Sequence, residues 1–256
     1  MSTLHIHQFT ILNDNFGVLI HDPQTGATAS IDAAEAYPIE RECEAKGWKL
    51  TDILVTHHHA DHTDGIPELK EATGCRVVAP KKDHGRIPLV DIEVGEGDSV
   101  KLGHVELRVI ETPGHTLGHI AYYAPEAGAV FVGDTLFSLG CGRMFEGTPE
   151  VFHGALLKLA SLPGETQVYC GHEYTLANGR FALSVEPENA ALQARMREVE
   201  DLRKAGRPTL PTTIAAELAT NPFMRAHVPA ISKRLGMEGA PAWQVFGELR
   251  ERKNRA

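Results

Sequence analysis

Apolar and polar residues in the first two thirds of the chain alternate in short runs broken by turn residues, which is the pattern of strands. The pattern predicts strands over Leu4–Thr10, Phe16–His21, Ala27–Asp32, Asp52–Thr56, Arg76–Ala79, Val100–Leu102, Val105–Thr112, His119–Ala124, Ala129–Gly133 and Gln167–Gly171. Turn signals separate several of them, such as Asp22-Pro23-Gln24-Thr25-Gly26, Pro113-Gly114 and Pro125-Glu126-Ala127-Gly128. Helices are predicted over Ile39–Lys46, Ile66–Thr73 and Glu150–Leu159. The last has Val151, Phe152, Ala155, Leu156 and Leu159 at helical spacing.

After about residue 173 the alternation stops and helical spacing dominates. Helices are predicted over Leu176–Val185, Glu188–Ala205, Thr213–Thr220 and Ala242–Arg252. Pro187 marks the start of the second, and Gly206 with Pro208 closes it. The expected organisation is an α/β part over residues 1–173 and a smaller helical part over 174–256.

Composition narrows the class. A chain of 256 residues, 42% hydrophobic and 23% charged, is expected to build a packed globular core. No apolar run approaches the ~20 residues of a membrane span. The N-terminus lacks a basic segment followed by an apolar one, so no signal peptide is expected. Cys43, Cys75, Cys141 and Cys170 are scattered without CxxC spacing, which fits reduced thiols in the cytoplasm. The net charge of −9 is unevenly spread: residues 1–172 hold 12 Lys and Arg against 24 Asp and Glu, and residues 173–256 hold 13 against 10. An acidic chain without a basic stripe argues against a nucleic-acid role. No membrane partner is expected, and a monomer is the simplest state.

The chemistry sits at strand ends. The apolar run Ile53-Leu54-Val55 feeds Thr56-His57-His58-His59-Ala60-Asp61-His62. Imidazole and carboxylate hold zinc, iron or manganese. In an extended chain His57 and His59 point the same way, and His58 points away from them. A His-rich tract can also be a tag or a loose metal trap, but a tag sits at a terminus and lacks the ordered aspartate. The arrangement then repeats. His115, Asp134 and His172 each follow a predicted strand, and each has a glycine directly before it. A lone histidine there is usually structural; four repeats of one arrangement are not. The ligand count gives two sites: His57, His59 and His115 for one, Asp61, His62 and His172 for the other, with Asp134 bridging. Two metals about 3.5–4 Å apart can share a hydroxide at neutral pH.

The motif Thr56-His57-His58-His59-Ala60-Asp61-His62, with His115, Asp134 and His172, resembles the metallo-β-lactamase superfamily. The resemblance implies an αββα sandwich with a dinuclear site at one edge, here followed by the smaller helical domain. Further segments resemble one branch, the hydroxyacylglutathione hydrolases (glyoxalase II). They are Gly133-Asp134-Thr135-Leu136-Phe137, Gly140-Cys141-Gly142-Arg143-Met144-Phe145-Glu146-Gly147-Thr148, Gly171-His172-Glu173-Tyr174-Thr175, Asn221-Pro222-Phe223-Met224-Arg225 and Leu249-Arg250-Glu251-Arg252-Lys253. This match runs nearly from end to end.

The resemblance implies substrate contacts at Arg143, Tyr174, Arg250 and Lys253, with Asp61 and Asp134 counted as catalytic. Arg143 and Phe145 stand where many members carry Lys and Tyr; Arg143 keeps the charge and Phe145 loses a hydroxyl. Arg250 and Lys253 fall on one helix face, where they can clamp a carboxylate. The implied reaction is hydrolysis of S-(2-hydroxyacyl)glutathione thioesters, chiefly S-D-lactoylglutathione, by a hydroxide shared between two divalent ions. Zinc is the first choice of metal and iron or manganese the alternatives; the context is methylglyoxal detoxification. Two rival readings have other chemistry. A mononuclear iron dioxygenase acting on glutathione persulfide would use His57, His115 and Asp134, and a metal-binding or redox-sensing protein would need no substrate site.

Overall fold

The computed structural model describes residues 4–256, so the N-terminal reading at residues 1–3 lies outside it. The chain divides into two compact units, residues 1–111 with 117–133, and residues 112–116 with 134–256. Five residues, Thr112–Thr116, thus belong with chain that follows them rather than chain on either side.

The first unit begins with antiparallel strands β1 (His5–Ile11), β2 (Asn15–His21) and β3 (Thr28–Ile31). Strands β4 (Asp52–Leu54), β5 (Arg76–Pro80) and β6 (Ile92–Val94) continue the sheet in parallel. Parallel strands need crossovers, and α1 (Ala36–Lys46) and α3 (Ile66–Thr73) supply two of them, with the single-turn α2 (Ala60–Thr63) before α3. Ile39, Cys43, Ile53, Val55, Ile66, Leu69 and Val77 form one buried cluster beneath those helices.

Strands β7 (Ser99–Leu102), β8 (Val105–Glu111), β9 (Ile120–Ala124) and β10 (Ala129–Phe131) make an antiparallel meander in the same unit. In β8, Val105, Leu107 and Val109 are buried and Glu106 and Arg108 exposed, so its inner face is fixed by a two-residue period. The two layers meet at Tyr122, wholly buried, whose hydroxyl donates to Val55 O at 2.9 Å just past β4.

The second unit holds the tight hairpin β11 (Leu136–Phe137) and β12 (Gly140–Cys141), helix α4 (Pro149–Ala160), and strand β13 (Gln167–Tyr169). Helices α5 (Thr175–Val185) and α6 (Ala190–Lys204) follow, then β14 (Thr212–Thr213), α7 (Ile214–Thr220), α8 (Pro229–Leu235) and α9 (Ala242–Asn254). Strand β14 pairs antiparallel with β13. An aromatic core ties the helices together: Phe152 meets Phe246 at 5.5 Å, Phe246 meets Phe223 at 5.9 Å, and Phe223 meets Phe181 at 5.9 Å between ring centres.

Several boundaries differ from the sequence pattern. Helix α1 starts at Ala36, ahead of the Ile39 expected, because Pro38 sits in its first turn, where a missing N–H costs nothing. Helix α6 starts at Ala190 rather than Glu188, because Asn189 caps it by accepting from Leu192 N at 3.1 Å. Strands β6, β11, β12 and β14 and helices α2 and α8 have no counterpart in the pattern; each spans two to seven residues, too short to show a period.

Candidate metal centre

In the first unit the site is built at the exit of β4. Ile53, Leu54 and Val55 are wholly buried, so the chain leaves the sheet only at Thr56. Asp32, just past β3 in the left-handed region at φ 57°, receives that exit. Its Oδ1 accepts from Thr56 N at 2.6 Å and its Oδ2 from Thr56 Oγ1 at 2.8 Å. The same carboxylate accepts from His62 Nδ1 at 2.8 Å. A carboxylate on Nδ1 leaves Nε2 as the lone-pair nitrogen, the tautomer a metal ligand needs.

The histidine run then spreads. His57 Nε2 and His59 Nδ1 lie 3.1 Å apart, and the His57 and His62 rings are 4.2 Å apart. Asp61 Oδ2 lies 3.6 Å from His62 Nε2 and accepts from Asn15 Nδ2 at 3.0 Å. His58 turns to Asp83, with Nδ1 3.2 Å from Oδ2 of that buried carboxylate. Among the described residues Asp32, His57 and His62 offer one atom each within 4.8 Å of one another. His119 is wholly buried and stacks on His57 at 4.8 Å.

In the second unit Asp134 lies between two imidazoles. Its Oδ2 is 3.5 Å from His115 Nε2 and 3.3 Å from His172 Nε2. His115 Nδ1 donates to Arg143 O at 2.8 Å, and since a carbonyl only accepts, Nε2 again carries the lone pair. Gly142 makes this packing possible, because a Cβ there would stand 2.0 Å from Asp134 O and 3.0 Å from His115 Nδ1. The His172 ring lies flat against Tyr174, 4.7 Å away and 3° from parallel, with Phe137 edge-on at 5.9 Å.

These donor sets fit divalent metal ions. Imidazoles whose Nδ1 is engaged behind them and carboxylates with oxygens close to the Nε2 atoms are what such an ion takes. The four cysteines are buried, and burial pushes the Cys43 and Cys141 thiols up to about 11, which keeps them protonated.

The residues expected to contact substrate fall in the second unit. Arg143 is exposed and Phe145 is 61% exposed, its ring edge-on to His115 at 5.3 Å. Tyr174 is partly exposed over His172. Lys253 Nζ donates to Ala177 O at 3.2 Å and sits 5.6 Å from the Phe181 ring centre. Burial, then the cations Arg250 and Arg143, push its ammonium below the usual lysine range. Arg250, 4% exposed, lies over Phe223 at 5.2 Å; its Nε donates to Asn254 Oδ1 at 3.1 Å and its Nη1 to Cys141 O at 2.9 Å.

The sequence pattern does not single out Asp32, Asn15 or His119. Asp32 carries a usable signal, since it ends a predicted strand as the other ligand candidates do. His119 follows Gly118 within four residues of His115, but nothing in the spacing marks it as a ring stacked on His57.

Residues 17–172 match the metallo-beta-lactamase superfamily, and residues 173–256 match the hydroxyacylglutathione hydrolase C-terminus. The chain is 58% identical over 251 residues to a hydroxyacylglutathione hydrolase of Rhodopseudomonas palustris strain BisA53, covering 98% of each chain. It is 57% identical over 251 residues to one of Bradyrhizobium sp. strain ORS 278, again 98% of each. Among solved structures, ETHE1 from Myxococcus xanthus superposes with a TM-score of 0.67 at 25% identity, over 97% of this chain and 98% of that one. TTHA1623 in a di-iron-bound form superposes with a TM-score of 0.63 at 25% identity, over 86% of this chain and 99% of that one. The chain belongs to the hydroxyacylglutathione hydrolases of the metallo-beta-lactamase superfamily.

Proposed function

We propose that this chain hydrolyses S-(2-hydroxyacyl)glutathione thioesters, with S-D-lactoylglutathione the chief substrate, to glutathione and D-lactate. The observation that carries the reading is the match of residues 173–256 to the C-terminus of hydroxyacylglutathione hydrolases, since metal ligands alone leave the substrate open.

In this reading His57, His59 and His115 would hold one divalent ion, Asp61, His62 and His172 would hold a second, and Asp134 would serve both. Support comes from Asp134 Oδ2, close to the Nε2 atoms of His115 and His172, and from the engaged Nδ1 atoms of His62 and His115. Bound zinc, iron or manganese would supply Lewis acidity and water acidified toward neutral pH. The residues of the chain do the rest. Asn15 orients Asp61, Asp32 orients His62, and the Arg143 carbonyl holds the Nδ1 proton of His115.

Arg143, Tyr174, Arg250 and Lys253 take the glutathione moiety, whose two carboxylates suit local cations although the first 172 residues are acidic. Charge at a distance is screened over about 8 Å at physiological salt. The leaving group is a thiolate, and a free thiol has a pKa of about 8.5, so departure needs no dedicated general acid. The same reading divides the work between a catalytic domain over residues 1–173 and a substrate-binding domain over 174–256, in a cytoplasmic monomer. Among the described residues no helix is long and apolar enough to cross a membrane.

The test is loss of thioester absorbance from S-D-lactoylglutathione, with metal analysis alongside. Turnover that stops with chelator and returns with a divalent metal is expected. Oxygen uptake with glutathione persulfide and one iron, without thioester cleavage, would sink the proposal in favour of a dioxygenase.

A further inference from the structure

Four consecutive carbonyls of the second unit each accept from a side chain. Gly140 O accepts from Asn221 Nδ2 at 2.8 Å. Cys141 O and Gly142 O accept from Arg250 Nη1 at 2.9 and 3.4 Å. Arg143 O accepts from His115 Nδ1 at 2.8 Å. Asn221 follows α7 and Arg250 lies on α9, so helices far along the chain hold one end of a four-residue strip whose other end holds a metal-ligand candidate.

The strip has little freedom to shift. Asn221 Nδ2 also donates to Phe137 O at 3.2 Å and to Glu217 Oε2 at 2.9 Å, and Glu217 Oε2 accepts from Leu139 N at 2.8 Å. Leu139 itself sits at φ 60°, so the hairpin turn is tight. On the other side the bare Cα of Gly142 packs against Asp134 O and His115 Nδ1. A displacement of the strip would therefore act on the candidate ligands directly.

We infer that Arg250 is a positioning residue for the metal centre: through the Cys141–Arg143 backbone it fixes the ring of His115. This rests on the metal reading above and goes beyond the carboxylate clamp assigned there. A clamp needs only charge near the substrate. The geometry gives Arg250 a second task, because its Nη1 is committed to two backbone carbonyls and its Nε to Asn254, with the guanidinium over Phe223. Lys253, three residues on, donates to Ala177 O on α5 instead.

The experiment compares Arg250→Ala, Arg250→Lys, Lys253→Ala and Arg225→Ala in the full chain. Arg225 is a structural control, paired with Glu186 at 2.8 and 2.9 Å in the same unit. Zinc affinity is read by chelator competition and ligand geometry by cobalt(II) absorption, neither of which needs turnover. Loss of a metal-supporting contact typically costs 10–100-fold in affinity. Arg250 acts one contact beyond the carbonyl that holds His115, so Arg250→Ala is expected to weaken zinc binding by up to about 10-fold, the low end of that range, and to alter the cobalt spectrum. Arg250→Lys, which keeps a donor but not the fork, is expected to fall between it and the wild type. Lys253→Ala and Arg225→Ala are expected to keep wild-type zinc affinity, whatever they do to KM or Tm. Wild-type zinc affinity and an unchanged cobalt spectrum in folded Arg250→Ala overturn the inference and leave a clamp alone. If Arg250→Ala does not fold, wild-type zinc affinity and cobalt spectrum in Arg250→Lys overturn it in the same way, and weakened affinity there supports it. Failure of the wild type to cleave thioesters would instead count against the proposed reaction, since the zinc measurement stands without it.

Discussion

Asp32 Oδ2 accepts from His62 Nδ1 and from Thr56 Oγ1, both at 2.8 Å, so one carboxylate sets a ligand candidate and the loop that leads to it. Replacing Asp32 with Ala removes both contacts and strands Thr56 N. Metal affinity is expected to fall about 10–100-fold, with turnover falling alongside. Zinc titration of the purified variant checks it; unchanged affinity would show that His62 needs no support from behind.

Phe145 invites a gain of function. Its ring is exposed and edge-on to His115, and the family resemblance leads one to expect a tyrosine in its place. Phe145→Tyr adds one hydroxyl to the substrate side. One hydrogen bond is worth about 0.5–1.5 kcal/mol, so KM for S-D-lactoylglutathione should drop roughly 2- to 10-fold with kcat little changed. Steady-state kinetics decide the matter, and a raised or unchanged KM would remove Phe145 from the substrate side.

Gly114 has φ 148°, and a Cβ there would meet the Phe152 ring at 2.2 Å. Both facts forbid a side chain, because the backbone region is disfavoured for L residues and Phe152 is wholly buried. Gly114→Ala should destabilise by about 1–3 kcal/mol through overpacking. Urea unfolding with a midpoint equal to the wild type would contradict the packing described.

His153 supplies a pH dependence. Burial, then the nearby His227, lowers its pKa from 6.5, and its Nε2 has no partner among the described residues. The unfolded chain takes up this proton near pH 6.5, whereas the folded chain resists it. Stability from this group is therefore complete above about pH 6.5 and declines as pH falls toward the lowered folded value. His153→Leu should flatten that part of the acid limb, measured as urea midpoints between pH 5 and 8. An identical limb in the variant would mean that other groups carry the loss.

Much of the fold and site is legible in sequence, and for a definable reason. His57, His59, Asp61 and His62 follow an apolar run, and His115, Asp134 and His172 repeat the arrangement, so local pattern alone nominates them. Partners separated along the chain are not legible. Asp83 reaches His58 across 25 residues, and Arg250 reaches Cys141 across 109. Arg250 and Lys253 look alike on a helical projection. Only the packing distinguishes them: Arg250 is buried against the Cys141 carbonyl, whereas Lys253 stays partly exposed beside Phe181. The start of α6 departs from the pattern for a related reason, since Pro187 is the louder signal and the Asn189 side-chain cap two residues later is the one that acts.

The segment Thr112–Thr116 has an evolutionary consequence. It is tied to residues that come later: Thr135 Oγ1 donates to Thr112 O at 3.2 Å, Phe145 N to His115 O at 3.3 Å, and Gly147 N to Gly114 O at 3.2 Å. Recombination between homologous genes that exchanged only the DNA for Asp134 onward would separate a five-residue insert from its host. A join ahead of codon 112 keeps the insert with its host but parts Leu117–Gly133 from residues 1–111, so no single join between codons 111 and 134 leaves both units whole.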